Sequence, residues 1–226
     1  MKDVHLKLSD VHKIFGSGER IVRVLNGITL ELRGGQSLAV MGPSGSGKST
    51  LLHLIGTLDQ PTSGTIEING KNPFSLAEPD LAQFRNQGIG FVFQDHHLLP
   101  QYSVLENVML PALAFKRNSG NPQSRALSLL KRVGLDHRVH HYPAQLSGGE
   151  SQRTAVARAL MNEPSIILCD EPTGNLDHAN AESVASLLFE LHQQENNLLI
   201  AVTHSLELAR HFQQCFELRD GNLFPK

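Results

Sequence analysis

Short apolar runs alternate with longer amphipathic stretches along much of the 226-residue chain. Four runs are apolar at almost every position and cover residues 37–41, 89–93, 166–169 and 198–202. Continuous apolar character over a short run is typical of strands that are buried on both faces of a sheet. Residues 177–195 instead repeat apolar positions at helical spacing. Because strands alternate with helices, we expect an α/β fold with a mainly parallel sheet.

Both ends of the chain show a different, strand-rich pattern. Residues 4–40 contain runs that partly alternate between apolar and polar positions, and Asn26-Gly27 and Gly34-Gly35 predict turns between them. Near the C-terminus, Asp220-Gly221 separates two further short runs. This dipeptide is a strong signal for a tight β-hairpin.

A helical insertion is predicted over residues 95–160. A capping box from Ser103 to Glu106 begins one helix that runs to about Arg117. A second helix is expected over 123–133, and a glycine follows it directly. These helices lie between two of the predicted parallel strands.

The composition narrows the class of protein. A net charge of −2 argues against a nucleic-acid binder that depends on phosphate contacts. No apolar run approaches the ~18 residues of a membrane-spanning helix, and we expect no secretion signal. Cys169 and Cys215 lie in apolar runs and are predicted to be buried thiols. The twelve histidines lack metal-ligand spacing, so we expect most of them at the surface.

A phosphate-binding loop follows the first apolar run. The segment fits G-x-x-x-x-G-K-[ST] at every fixed position and leads into helical spacing. Its backbone N–H groups suit α- and β-phosphates, the Lys48 charge suits the β- and γ-phosphates, and the Ser49 hydroxyl suits Mg²⁺. An ordinary glycine-rich turn would not need this strand, lysine and helix together. The predicted nucleotide-binding residues here are Gly42, Pro43, Ser44, Gly45, Ser46, Gly47, Lys48, Ser49 and Thr50.

A second anion-binding pattern occurs about a hundred residues later, at Leu146-Ser147-Gly148-Gly149-Glu150. Ser147 and Glu150 have the spacing of a capping box that begins a helix. The two glycines leave backbone N–H groups bare at the positive end of that helix. One nucleotide needs one such loop, so a second one requires an explanation.

Two carboxylates end the apolar run at 166–169. Asp170 is predicted to hold Mg²⁺ through water, as a carboxylate at a buried strand end beside a phosphate loop can. If strand geometry persists, Glu171 points the other way and orients or deprotonates a water that attacks the γ-phosphate. The alternative is an acidic strand end that is simply solvated.

Two more polar residues follow strand ends on the same expected edge of the sheet. His204 would lie beside the γ-phosphate, although a structural histidine is an alternative interpretation. Gln94 can ligate Mg²⁺ or hold the attacking water, and the helical insertion begins directly after it. The predicted metal ligands are therefore Ser49, Gln94 and Asp170.

Taken in this order, these residues resemble the ATP-binding subunits of ABC transporters, and the resemblance covers nearly the whole chain. Residues 42–49 resemble the Walker A loop and 166–170 the Walker B strand. Residues 146–150, which we call the signature turn, match the ABC signature. Residues 174–177 resemble the D-loop. Glu171, Gln94 and His204 match the catalytic glutamate, the Q-loop and the switch histidine.

The resemblance implies the P-loop NTPase fold of ABC ATPases. That fold is α/β, with a mainly parallel sheet core, an N-terminal antiparallel β subdomain and a helical insertion subdomain. It implies one domain over 1–226, with the core at about 1–94 and 161–226 and the helical subdomain at about 95–160. Phe15 matches an aromatic that stacks on adenine, and a core phenylalanine is the alternative.

The resemblance also implies how the chain works. Two copies would enclose two ATP molecules with Mg²⁺, each nucleotide lying between Lys48 of one copy and the signature turn of the other. Glu171, His204 and Lys48 would be catalytic. The residues that would contact the nucleotide in trans are Ser147, Gly148, Gly149 and Glu150.

Within the family, the resemblance is closest to the branch of the LolD, MacB and FtsE ATPases, and several stretches favour the lipoprotein-releasing members. This implies a peripheral protein on the cytoplasmic face of the bacterial inner membrane, partnered by integral LolC/LolE-like permease subunits. The alternatives are a MacB-like export ATPase and an FtsE-like regulator of cell-wall hydrolysis. A soluble ABC ATPase acting on DNA or ribosomes, or a P-loop kinase, lacks support in the sequence. Two residues depart from the family pattern: Ser151 follows the signature where arginine or glutamine is usual, and Ser205 follows the histidine where aspartate is usual.

Overall fold

The fold is described here from a computed structural model that covers residues 4–18, 20–115 and 121–226. The strands are β1 (His5–Phe15), β2 (Val22–Arg33), β3 (Ser37–Met41), β4 (Ser63–Ile68), β5 (Ile89–Phe93), β6 (Ile166–Asp170), β7 (Leu198–Val202), β8 (Gln214–Arg219) and β9 (Asn222–Pro225). The α-helices are α1 (Lys48–Ile55), α2 (Glu78–Gly88), α3 (Val104–Ala114), α4 (Pro122–Arg132), α5 (Gly148–Ala159), α6 (His178–Glu195) and α7 (Leu206–Ala209). Short 3₁₀ turns occur at Pro73–Ser75, Asp136–Arg138 and Pro143–Gln145.

Two sheets organise these strands. The larger sheet has the order β5-β6-β7-β3-β8-β9 and is parallel except for its last strand. The smaller sheet is antiparallel, in the order β2-β1-β4. The predicted mainly parallel α/β sheet is confirmed, and so is the hairpin at Asp220-Gly221, which joins β8 to β9.

The central strands contribute to two hydrophobic cores because both of their faces are covered. In β6, Ile167 and Cys169 face the core formed with α3 to α7, while Ile166 and Leu168 face the core formed with α1 and the antiparallel sheet. The same alternation holds along β3 and β7. This two-sided burial explains why these strands are apolar at almost every position.

The N-terminal strands differ from the prediction at Asn26-Gly27. We predicted a turn between two strands there, but β2 is continuous across both residues. Val11 pairs with Ile28 and Lys13 with Leu25, so the two residues oppose His12 alone. This is a β-bulge, in which Gly27 takes a φ of +71° and the Asn26 N–H donates to the Gly221 carbonyl.

The helices match the prediction in kind and differ at their ends. Helix α3 ends at Ala114, before the predicted end at Arg117, a residue outside the described part of the chain. Helix α7 is shorter than the predicted 206–212. Helix α2 was not predicted, because it buries mainly Leu81 and so lacks an apolar stripe. Its signals are Pro79 and two acidic residues in the first turn.

The cysteines and histidines form neither a disulfide nor a metal site in the described part of the chain. Cys169 is buried and Cys215 half-buried, and both are free thiols. Burial raises the pKa of each thiol. Among the described residues, no cluster of three histidine, cysteine or acidic side chains has the arrangement of a metal site. No helix formed by the described residues is both long enough and apolar enough to cross a membrane.

Candidate active site

The phosphate loop connects β3 to α1 at the carboxyl edge of the parallel sheet. Gly42, Gly45 and Gly47 have φ values of +149°, +77° and +100°. A side chain at Gly42 would collide with the Leu218 carbonyl. At Gly47 an added Cβ would lie 3.0 Å from the Val24 carbonyl oxygen. Glycine is therefore required at these two positions by backbone conformation and by close packing.

The first turn of α1 is open to an anion. Gly47 is its N-cap residue and provides no side chain to cap the backbone N–H groups. The Lys48 ammonium group donates to the carbonyls of Gly42 and Pro43, both at 2.9 Å, and so remains at the loop. Within the described residues, the Ser46 hydroxyl is buried without a hydrogen-bond partner. The loop thus combines free N–H groups, a positive charge and an unsatisfied hydroxyl.

Asp170 reaches the start of α1 from the end of β6. The Ser49 hydroxyl donates to its Oδ1 atom at 3.3 Å. Burial raises the pKa of Asp170, and the hydrogen bond from Ser49 opposes that rise. A half-buried carboxylate next to a hydroxyl is a favourable place for a small, hard cation.

Glu171 does not continue the strand. Its φ is +46° and its backbone N–H donates to the Val202 carbonyl at 2.9 Å. The expected strand geometry, in which Glu171 points away from Asp170, is therefore wrong. The left-handed backbone turns the chain at this residue, and both carboxylates line one cavity. A left-handed non-glycine residue is uncommon and often marks a functional position.

The Glu171 carboxylate is held by three hydrogen bonds. Its Oε2 accepts from the Thr203 hydroxyl at 2.9 Å and from the His204 backbone N–H at 3.2 Å. Its Oε1 lies 2.8 Å from His204 Nδ1. The Glu171 side chain is 14% exposed, so this is not a solvated strand end, whereas the His204 side chain is 70% exposed. His204 is therefore oriented by the carboxylate while its ring remains accessible.

Gln94 lies at the end of β5 and is oriented by the D-loop. Its amide Nε2 donates to Asn175 Oδ1 at 2.8 Å, and Asn175 Nδ2 donates to Asp95 Oδ1 at 3.0 Å. Gly174 packs against this amide, since an added Cβ would lie 3.0 Å from Gln94 Nε2. Asn175 was not predicted as an orienting residue, because only the folded chain brings it next to Gln94.

These residues surround one cavity of about 620 Å³. Its lining is formed by Val24, Ser44, Gly45, Gly47, Lys48, Ser49, Thr50, Phe93, Gln94, Asp95, His97, Asp170, Glu171 and His204. Phe15 is outside this lining. It is 44% exposed, with the Lys13 ammonium 4.7 Å from its ring centroid, and so is not the core residue of the alternative interpretation.

The signature turn lies apart from that cavity and none of its residues line it. Ser147 caps α5, accepting from the Glu150 N–H at 3.3 Å, and the Glu150 carboxylate accepts from the Ser147 N–H at 2.8 Å. The predicted capping box is present. It uses the N–H groups of Ser147 and Glu150 and not those of Gly148 and Gly149.

Glu150 has a second partner that the sequence analysis missed. Its Oε1 accepts from Arg138 Nε at 2.8 Å. The hydrogen bond from the Ser147 N–H, together with Arg138, lowers the pKa of Glu150 to about 2. The carboxylate is thus turned toward its own helix end, and the exposed part of the turn consists of Ser147 and Gly148.

The glycines of the signature turn have a different cause from those of the phosphate loop. Neither Gly148 nor Gly149 has a positive φ. An added Cβ at Gly149 would lie 2.5 Å from Asn180 Oδ1, and one at Gly148 would lie 3.3 Å from a Leu176 methyl group. These glycines allow α5 to pack closely on the D-loop and α6.

A profile of the ABC transporter family matches residues 25–174, about two thirds of the chain. The chain belongs to the ABC transporter family. Among curated relatives, it is 52% identical to a lipoprotein-releasing system ATP-binding protein LolD 1 of Rhodopirellula baltica, over 96% of this chain and 95% of that protein. It is 45% identical to the LolD protein of Legionella pneumophila over the full length of both chains.

Solved structures of ABC cassettes share the fold. The dimeric structure of the ATP-binding cassette MJ0796 in a post-hydrolysis state, bound to ADP and Pi, superposes with a TM-score of 0.88. It is 40% identical, and the match covers 96% of each chain. The structure of cbiO1 from Clostridium perfringens, described as part of the ABC transporter complex cbiONQ, has a TM-score of 0.87 at 28% identity, over 99% of this chain and 88% of that one. The predicted fold and the resemblance to ABC ATPases are confirmed.

Two departures from the family pattern have different outcomes. The Ser205 hydroxyl accepts from the Leu208 N–H at 3.2 Å and so caps α7, a task that aspartate also performs. Ser151 lies in the first turn of α5, and nothing in its contacts explains why serine stands there.

Proposed function

We propose that this chain is the ATP-hydrolysing subunit of a lipoprotein-releasing ABC transporter. The observation that carries this proposal is the separation of two phosphate-binding turns. One lies in a cavity with the predicted catalytic side chains, and the other is exposed and is not part of the lining of that cavity. Relatives named for lipoprotein release support the choice of cargo class.

ATP with Mg²⁺ is the substrate that this cavity fits. The N–H groups of the phosphate loop would bind the α- and β-phosphates, and Lys48 would bind the β- and γ-phosphates. Ser49, Gln94 and Asp170 offer hydroxyl, amide and carboxylate oxygens, the donor types that Mg²⁺ takes together with phosphate oxygens. When bound, the cation neutralises developing charge on the phosphates.

Hydrolysis in this proposal depends on Glu171. Its carboxylate accepts a proton from the attacking water or aligns that water, while Thr203 and His204 fix its position. The accessible ring of His204 would lie beside the γ-phosphate and hold it in position, and Lys48 would stabilise the charge that develops there. Catalysis would therefore consist mainly of positioning and charge stabilisation.

The signature turn would complete the site of a second copy. Gly148 and Gly149 would present backbone N–H groups, Ser147 its hydroxyl group, and α5 the positive end of its dipole to the γ-phosphate bound by the other chain. We assign Glu150 a positioning role, because its carboxylate is engaged by Ser147 and Arg138. Phe15 would stack on adenine with its exposed ring.

The permease would contact the surface beside β5 and α3. A second cavity of about 560 Å³ opens there, lined by Phe91, Pro111 and Phe115 among other residues. It adjoins the nucleotide cavity, since Phe93 and His97 line both. We propose that LolC/LolE-like permease subunits dock on this helical part of the chain, about residues 95–160, from the membrane side. The chain would be peripheral, on the cytoplasmic face of the inner membrane.

Co-purification tests the proposal. The tagged chain is isolated from detergent-solubilised membranes of its source organism, its bound membrane proteins are identified by mass spectrometry, and ATP hydrolysis is measured. Recovery of two permeases that release lipoproteins from vesicles supports the proposal. Recovery of a macrolide-export permease, or of a membrane partner of a cell-wall hydrolase, would replace it with the MacB-like or FtsE-like alternative.

A further inference from the structure

Three hydrogen bonds attach the turn after β5 (residues 94–97, called the β5 turn below) to both ends of α5. His96 Nε2 lies 3.2 Å from the Gly148 carbonyl oxygen. At the other end of α5, Arg158 donates from NH1 to the His97 carbonyl at 2.6 Å and from NH2 to the His96 carbonyl at 2.5 Å. Two attachment points separated by almost the whole helix restrain both its position and its tilt.

The chemistry of the first contact assigns a proton. A backbone carbonyl only accepts, so His96 Nε2 must carry the hydrogen that bridges to Gly148. The backbone conformation brings the ring there, because His96 and His97 have φ values of +60° and +49°. Histidine is among the residues that adopt this left-handed region more readily than most.

The other end of the β5 turn belongs to the nucleotide cavity. Gln94 lines that cavity, two residues before His96. The His96 N–H donates to the Phe93 carbonyl at 3.2 Å and the His97 N–H to the Asp95 carbonyl at 2.6 Å, so the segment is a tight turn. A displacement of Gln94 is therefore transmitted over a short, hydrogen-bonded segment and not over a loose loop.

We propose that His96 is a positioning residue that couples the two ATP sites of the dimer. It sets the position of Gly148 and Gly149, which serve the nucleotide of the other copy, according to what Gln94 binds in its own copy. This inference rests on the proposed function, in which two copies of the chain enclose two ATP molecules between them, an arrangement called the sandwich below. It predicts cooperative ATP use, because occupation of one site aligns the turn that completes the other.

The fold should survive loss of this contact. The signature turn is also held by the Glu150 pair with Arg138 and by packing of Gly149 on Asn180. His96 is half-buried, so its removal leaves no closed cavity. A change in cooperativity without a change in stability would consequently separate a coupling role from a structural one.

The test uses His96→Ala, His96→Gln and a control, His140→Ala, at an exposed histidine in the same part of the chain. A glutamine amide has an N–H donor at nearly the reach of Nε2. Each variant is made in the native chain for ATPase cooperativity, and together with Glu171→Gln for ATP-dependent dimerisation by analytical ultracentrifugation. Binding of a nonhydrolysable ATP analogue to the monomer and the thermal unfolding midpoint are measured in parallel.

We expect His96→Ala to weaken ATP-dependent dimerisation by about 2- to 10-fold, the value of one hydrogen bond, and to bring the Hill coefficient close to one. Analogue binding by the monomer and the unfolding midpoint should match the control, and His96→Gln should recover most of the loss. Equal defects in the alanine and glutamine variants, an equal loss in monomer binding, or a lowered unfolding midpoint would overturn the coupling role. If the Glu171→Gln chain with native His96 does not dimerise with ATP, the sandwich itself fails.

Discussion

The phosphate loop and the signature turn are both glycine-rich entries into a helix, yet they are built differently. The phosphate loop has no capping side chain, and three of its glycines have positive φ values. The signature turn has a full capping box and ordinary backbone angles, and its glycines permit close packing. The first lies inside a cavity that Lys48 and three carboxylates also line, and the second is exposed.

The difference shows what each turn contributes. The phosphate loop has free backbone N–H groups and the charge of Lys48, so it can bind a triphosphate without groups from a second chain. A capped and braced turn that offers two N–H groups and no cation provides only part of an anion site. Such a turn acts by being placed accurately against a phosphate that is already bound elsewhere, which is why its neighbours fix it from several sides.

The largest effect is expected for a substitution that removes ATP hydrolysis and leaves ATP-dependent dimerisation intact. Glu171→Gln keeps an oxygen that accepts from Thr203 and the His204 N–H, but it cannot take a proton. We expect ATP hydrolysis to fall about 10²- to 10⁴-fold while ATP-dependent dimerisation persists. Phosphate release and sedimentation measure the two properties, with Glu190→Gln on the exposed face of α6 as control. Hydrolysis at the native rate would refute the assignment of Glu171.

Glycine-to-alanine substitutions should distinguish the two turns, because a second substitution should restore ATPase activity in the signature turn and not in the phosphate loop. Gly149→Ala meets the Asn180 side chain, so a second change, Asn180→Ala, should restore much of the lost ATPase activity. An alanine Cβ at position 47 would lie 2.8 Å from Val24 Cγ1 and 3.0 Å from the Val24 carbonyl oxygen. Shortening Val24 would remove only the first contact, and the unfavourable φ of +100° would remain, a strain of about 1–3 kcal/mol. No side-chain change near Val24 should relieve it.

ATPase rates and nucleotide binding of the single and double variants check this contrast. The expected result is a rescued Gly149→Ala/Asn180→Ala pair and an unrescued Gly47→Ala/Val24→Ala pair. If Val24→Ala restored the Gly47→Ala chain, the phosphate-loop glycine would be needed for side-chain space alone.

The smallest effect concerns the brace under the signature turn. The Ser147 N–H and Arg138 depress the pKa of Glu150 from 4.5 to about 2. This carboxylate therefore stabilises the fold fully above pH 4.5, and its contribution is lost as the pH falls toward 2. Glu150→Gln keeps the capping box and loses the charge. The substitution should lower the free energy of unfolding by about 1 kcal/mol at pH 7. It should also make the free energy of unfolding less dependent on pH between 4.5 and 2.

Chemical denaturation at pH 7 and pH 3 measures that contribution. Glu106→Gln is a matched control, because Glu106 forms the same capping box with Ser103 at the start of α3 and, among the residues that the structure describes, has no arginine as a hydrogen-bond partner. A smaller change is expected there. Equal changes in the two variants would show that Arg138 adds nothing to the brace.

The sequence predicted features that depend on local rules. The buried strands, the two helix entries and the hairpin at Asp220-Gly221 each follow from a pattern within a few residues. The bulge at Asn26-Gly27 was missed because a bulge and a turn share the same dipeptide, and only pairing with β1 decides between them. Helix α2 was missed because its burial is slight.

In the active site, too, local sequence rules predicted some features, and contacts between distant segments decided the others. Residue types and their order predicted which side chains gather at the sheet edge. The left-handed backbone of Glu171, the Arg138 brace and the contact of His96 with Gly148 depend on where distant segments meet. Sequence spacing carries no information about such contacts, so these parts of the site required the structure.

Whether the signature turn acts in trans is tested most directly by mixing two inactive chains, Lys48→Ala and Ser147→Arg. Each alone should hydrolyse little ATP, and the Ser147→Arg monomer should still bind nucleotide. In an equal mixture, half of the dimers are mixed and each has one intact site, so about a quarter of the native sites should return. Recovered ATPase activity near that level is the predicted result. Activity no higher than that of the separate variants, together with lost nucleotide binding in the Ser147→Arg monomer, would show that the turn acts in cis.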